Sequence, residues 1–144
     1  MKKPLLYRLF GIGKMPDREA ATLRAEGVIF FDEALKGSLT YHDFRAPGRY
    51  SNWRRVWFTG TLALTKTRLA AFQNSRPAID VPLADARIRE LKISAEDETT
   101  ALVAFDAGLF HADWSGTLEY RFRTERAREF VELINAVTGQ SLET

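Results

Sequence analysis

Four arginines stand within eleven positions: Arg45, Arg49, Arg54 and Arg55. The stretch between Phe44 and Ile79 adds Lys66, Arg68 and Arg76 and contains no acidic residue. A guanidinium is a planar fork of donors that matches phosphate and carboxylate oxygens, so a loop carrying several can surround one anionic group. Tyr50, Trp53 and Trp57 are interleaved with these cations. Such rings suit anchors at a protein interface and, among basic neighbours, also suit stacking on nucleic-acid bases. The plainer alternative is a solvated face, neutralised when Asp85, Glu90 or the acidic turn Glu96-Asp97-Glu98 folds over it.

Other chemistry is poorly provided for. The two histidines each lie near an aspartate, His42 by Asp43 and His111 by Asp113, without the spacing of a metal motif. Cysteine is absent, which removes disulfides, thiolate ligands and a cysteine nucleophile. No Gly-x-Ser-x-Gly elbow occurs, and Gly11-Ile12-Gly13-Lys14 is followed by Met15 where a phosphate loop needs Ser or Thr. The paired acids Asp32-Glu33 fall at a strand start and read as solvated. We therefore expect no catalytic residue, no metal and no cofactor, and a chain that is not an enzyme.

The elements that position these residues follow from length and pattern. With 144 residues and 45% hydrophobic composition, the chain is one domain with short tails. Charge is uneven: residues 1–72 carry +7 and residues 73–144 carry −5. The opening segment sets Leu5, Leu6, Leu9 and Phe10 against Lys2, Lys3 and Arg8. It is too short and interrupted for an export signal, and reads either as an amphipathic anchor or as a docked tail. The expected location is the cytoplasm, with peripheral contact at a membrane as an option.

A short helix is expected over residues 17–26, ended by Gly27. From Val28 the apolar period changes to about two. Strands are expected at Val28 to Phe44, Val56 to Thr65, Arg68 to Gln73, Ala78 to Val81, Arg87 to Ser94, Ala101 to Asp106 and Thr117 to Arg123. A loop spans residues 45–53, and Pro82 marks an edge or an exit. Gly60 in a strand interior implies close approach by a backbone or a ring. A C-terminal helix over residues 125–138 is capped by Thr124 and stopped by Gly139. Its stripe of Ala127, Phe130, Val131, Ile134 and Val137 is expected to cover Phe58, Leu62 or their neighbours.

Phe58-x-Gly60-x-Leu62-x-Leu64-Thr65-x-x-Arg68-Leu69, then Phe72, then Ile79-x-Val81-Pro82-Leu83-x-Asp85-x-x-Ile88, resembles the GRAM domain and bacterial PH-like domains. Gly116-x-Leu118-x-Tyr120-x-Phe122 and the terminal helix fit the same order of elements. The resemblance implies a mainly β fold: a bent antiparallel seven-stranded sandwich or barrel closed by a C-terminal helix. The short N-terminal helix and tail would occupy residues 1–27, and the PH/GRAM-like domain residues 28–144. It further implies a binding module that engages a protein or an anionic membrane or phosphate surface near the first inter-strand loop. In this sequence that loop carries Arg45, Arg49, Arg54 and Arg55, with Trp53 and Trp57 as interface residues. Val56 stands where the lipid-binding members place a second basic residue. A self-associating structural domain is the alternative; a nucleic-acid partner is not expected.

Overall fold

The computed structural model of the protein describes residues 17–139; the amphipathic opening segment lies outside them. Helix α1 (Asp17–Glu26) leads into β1 (Val28–Ala46), followed by β2 (Arg49–Ser51), β3 (Arg54–Thr65), β4 (Arg68–Gln73) and β5 (Arg76–Pro82). A 3-10 turn (Ala86–Glu90) precedes β6 (Lys92–Asp97) and β7 (Thr100–Asp106), then β8 (Ser115–Arg123) and α2 (Ala127–Thr138). All pairings are antiparallel, in the order β5-β4-β3-β1-β8-β7-β6, with β2 attached to the end of β1. The fold is thus mainly β, but it is one open sheet of eight strands rather than a closed seven-stranded barrel. The additional strand is β2, which lies in the stretch expected as a loop. There Arg45 pairs with Tyr50 and Ala46 with Arg49 around a tight turn at Pro47-Gly48.

Strand β1 makes the architecture. It is 19 residues long and pairs with β3 along one side and with β8 along the other. Register shifts interrupt it between Asp32 and Leu35 and between His42 and Arg45, where Ala34 (φ 59°) and Asp43 (φ 47°) take left-handed backbone. Bulges of this kind bend a strand and increase its twist. The inner faces of the two halves meet in one apolar cluster that includes Phe30, Leu39, Phe58, Leu62, Val103, Phe105 and Phe122. Helix α2 adds Ala127, Phe130 and Ile134 to that cluster, and the Phe130 ring meets Phe30 at 5.3 Å. Gly60 has the role its position suggests, since a Cβ there would stand 2.3 Å from the Phe72 carbonyl oxygen and 2.8 Å from the Phe58 ring.

Three local expectations are corrected. Arg87 to Glu90 form part of the 3-10 turn, not a strand. The Asp85 carboxylate accepts from the Arg87 backbone N–H at 2.9 Å, and Ile88 and Leu91, three apart, are both buried. Thr124 is not the cap of α2: its hydroxyl donates to Asp32 at 2.7 Å and accepts from the Arg126 N–H, so the helix begins two residues later than expected. Val137 is largely exposed rather than part of the buried stripe. Gly139 does terminate the helix, in left-handed conformation at φ 70°.

Among the described residues, a helix covers one half of the outer face of the sheet. Leu23 of α1 packs on Ala63, Ala70 and Phe72 of β3 and β4. Glu26 secures the end of α1: its carboxylate accepts from Arg68 at 2.9 Å, Thr65 at 2.9 Å and Thr67 at 3.1 Å. Among the described residues no helix is long and apolar enough to cross a membrane.

Candidate functional site: the arginine arm and the open outer face

The end of β1 and strand β2 form a two-stranded arm, and the four arginines stand on it and at the start of β3. All four are exposed. Strand alternation divides them. Arg55 lies opposite Thr40 on the outer face, and its Nε donates to the Thr40 hydroxyl at 3.2 Å. Arg54, opposite Tyr41, falls on the inner-face side of the same strand. At the arm, the Arg45 guanidinium lies 4.5 Å from the Tyr50 ring centre, and that of Arg49 lies 5.6 Å from Phe44. The sequence thus groups four arginines that the fold presents as two pairs, one on each side of the arm.

Their charges are not neutralised by the described carboxylates. Elsewhere five arginines are paired, Arg68 with Glu26 and Asp80, Arg87 with Asp85, Arg121 with Glu96 and Glu119, Arg126 with Glu129 and Arg128 with Glu98, whereas Arg18, Arg24, Arg76, Arg89 and Arg123 have no described carboxylate within 4 Å. Among the described residues, no carboxylate lies within 4 Å of Arg45, Arg49, Arg54 or Arg55. Of the acids that could have folded over the arm, Asp85, Glu96 and Glu98 are each engaged by an arginine elsewhere, Asp97 accepts from Thr99, and Glu90 lies beyond 4 Å of all four arginines. Asp43, at the base of the arm, accepts from the Tyr50 hydroxyl at 3.3 Å.

Trp53 and Trp57 are 73% and 70% exposed, the most open aromatic rings among the described residues. Trp53 takes left-handed backbone (φ 62°), and its N–H donates to the Tyr41 carbonyl. Its ring meets His42 edge-on at 4.4 Å. Trp57 stands beside Arg55, whose guanidinium is 5.7 Å from the ring centre.

Comparison of the chain with protein-family models and with curated proteins gives no match. The site therefore rests on its own geometry.

Residues outside the arginine cluster complete the outer face. Ser38 of β1 lies between Trp57 of β3 and Arg121 of β8, and Thr40 lies between Arg55 and Glu119. His42 is hydrogen-bonded to Glu119 at 2.8 Å, Arg121 donates to Glu119 at 3.1 Å, and Arg121 grips both oxygens of Glu96 at 2.8 and 3.2 Å. Burial pushes the Glu119 carboxyl up, but the bonds from His42 and Arg121 outweigh it and hold the group below its ordinary value. Sequence alternation places Lys36, Ser38, Thr40 and His42 on one face of β1, and Glu119, Arg121 and Arg123 on one face of β8. It carries no signal that these two faces are the same one. His111 stands apart, stacked on Trp114 at 3.6 Å.

A separate recess of about 740 Å³ opens between the β4–β5 turn and the β7–β8 loop, with Phe105, Phe110, Trp114 and Tyr120 in its lining. Burial pushes the Tyr120 phenol up to about 12. None of the four arginines lines this recess.

Proposed function

We propose that this protein is a non-enzymatic binding module of the PH/GRAM-like kind that engages an anionic surface through its arginine arm. One observation carries the reading: Arg45, Arg49, Arg54 and Arg55 are exposed, have no described carboxylate partner, and stand together at the β1–β2 end of the sheet and the start of β3. Uncompensated guanidinium groups gathered at one end of the sheet raise the local potential and attract phosphate-bearing partners. Tyr50, Trp53 and Trp57 supply amphipathic rings beside them, of the kind that settle at headgroup level in a membrane interface. The antiparallel strand order and the C-terminal helix support the family reading.

Co-sedimentation with vesicles tests this. Wild-type protein is expected to pellet with vesicles containing anionic lipid and not with neutral ones. Binding should weaken as added salt shortens the screening length below ~8–10 Å. Arg45→Glu with Arg49→Glu is expected to abolish pelleting without changing the melting temperature. Undiminished pelleting of that variant would remove the arm from the mechanism. The exposed Trp53 and Trp57 favour a second reading, self-association, which predicts a concentration-dependent mass in sedimentation equilibrium that Trp53→Ala removes.

A further inference from the structure

The half of the outer face left open by α1 contains a cleft of about 360 Å³ over β3, β1 and β8. Ser38 lies on its floor. Trp57 and Arg55 stand on one wall, Arg121 and Arg123 on the other, and Lys36 completes the lining. We propose that this cleft is a second binding site, for a small molecule that joins a phosphate group to a flat ring.

The cations decide the phosphate. Arg121 is fully engaged by Glu96 and Glu119, so it serves as framework and neutralises the carboxylates that border the cleft. Lys36, Arg55 and Arg123 have no described carboxylate within 4 Å, although Arg123 is close enough to Asp97 to help hold that carboxyl below its usual range, behind the larger effect of the Thr99 N–H. Two cations without a carboxylate partner, Lys36 and Arg55, and a third, Arg123, only partly offset by Asp97, stand around one cleft of this size and match the charge of a phosphate monoester. The Ser38 residue is 3% exposed, yet its hydroxyl makes no hydrogen bond to a described residue and is not sealed from solvent. It is a free donor at the bottom of the cleft.

The ring is decided by Trp57. Its indole is 70% exposed beside the cations, and a flat partner stacking on an indole gains more than an aliphatic one. The volume lies at the lower end of the range for small-molecule sites, ~300–1,000 Å³, which fits a mononucleotide-sized molecule rather than a larger cofactor. The cleft shares Arg55 and Trp57 with the membrane reading of the arm but does not rest on it, because Lys36, Ser38 and Arg123 lie away from the arm on the sheet.

Calorimetric titration of the whole chain with ADP tests it, with adenosine and inorganic phosphate as separate arms. ADP is expected to saturate a single site, and adenosine and inorganic phosphate to bind at least ~10-fold more weakly. Lys36→Ala with Arg123→Ala is expected to weaken ADP about tenfold per cation removed, equivalent to roughly 1.4 kcal/mol each. Trp57→Phe should retain binding that Trp57→Ala loses. Arg45→Glu with Arg49→Glu, which stops vesicle pelleting, should leave ADP affinity unchanged. The proposal is overturned if ADP does not saturate up to about 10 mM, if inorganic phosphate binds as tightly as ADP, or if the Lys36 and Arg123 variant binds ADP like wild type while keeping its circular dichroism spectrum.

Discussion

The two halves of the outer face are built from the same strand, β3, and differ in what crosses them. Over Thr61, Ala63 and Thr65 the side chains are small and fully buried, because α1 lies on top and Leu23 fills the space against Ala70 and Phe72. Over Arg55 and Trp57 no described helix crosses, and Ser38 and Thr40 are flanked instead by long charged and aromatic residues of β3 and β8, with Arg55 donating to the Thr40 hydroxyl. The first half spends its surface on stability. The second leaves cations and rings in water, an arrangement that adds little to folding. On the proposed reading, the binding chemistry lies where the covering helix stops.

The sharpest way to break this contrast is to empty the covered half. Phe72 is 2% exposed beneath α1, and Phe72→Ala should cost about 3–5 kcal/mol, the range for losing a buried aromatic. Urea denaturation checks it, and a loss below about 1 kcal/mol would mean that α1 is only a loosely held cover. Gly60→Ala comes next, at about 1–3 kcal/mol for overpacking. Its new methyl would press on the Phe72 carbonyl, which is backbone and cannot swing away as the Phe58 ring could.

These two positions also show what is legible in a sequence. Gly60 announces a close approach, and the period-two pattern of β3 announces a strand, because both are local properties. Strand alternation already puts Arg54 and Arg55 on opposite faces, but the β1–β8 register and the attachment of β2 beside Arg45 and Arg49 are set by pairing between distant residues. The 3-10 turn at Ala86–Glu90 was hidden for a different reason. Arg87-Ile88-Arg89, one apolar residue between two charges, imitates a strand until the Asp85 side chain bends the backbone. The pairing of Glu96 with Arg121 and of Glu98 with Arg128, 25 and 30 residues apart, is likewise beyond local reading, whereas that of Asp85 with Arg87 is local.

The edge of the covered half is held electrostatically, and pH sharpens the comparison there. Burial pushes the Glu26 carboxyl up, but the bonds from Arg68, Thr65 and Thr67 prevail and hold it below its ordinary value of 4.5. A carboxyl depressed in the folded state contributes stability above its unfolded value and loses it as pH falls through the folded one. Glu26→Gln should therefore cost about 1 kcal/mol near pH 7, a modest figure because the pair is partly solvated. The gap between variant and wild type should close as pH falls below 4.5. Urea midpoints at about pH 7 and about pH 3 measure it, and a gap that persists in acid would show that Glu26 acts through packing alone.

The smallest expected effect belongs to the open half. Trp57 is the largest side chain on that face, yet its ring is 70% exposed, and the Arg55 guanidinium at 5.7 Å is its described ring contact. An exposed contact between a cation and a ring is worth about 0.5–1 kcal/mol, offset in part by the freedom both side chains regain when it is lost. Removing the indole also uncovers the Ser38 hydroxyl, which water can satisfy. Trp57→Ala should therefore shift the folding free energy by no more than about 0.5 kcal/mol, as for an ordinary surface substitution, against several for Phe72→Ala. Guanidinium denaturation of the two variants side by side makes the measurement. A loss near 2 kcal/mol or more at Trp57 would mean that the open half is scaffold too. An unchanged midpoint would leave an indole held in water that folding does not need, and recognition as the role for which it is displayed.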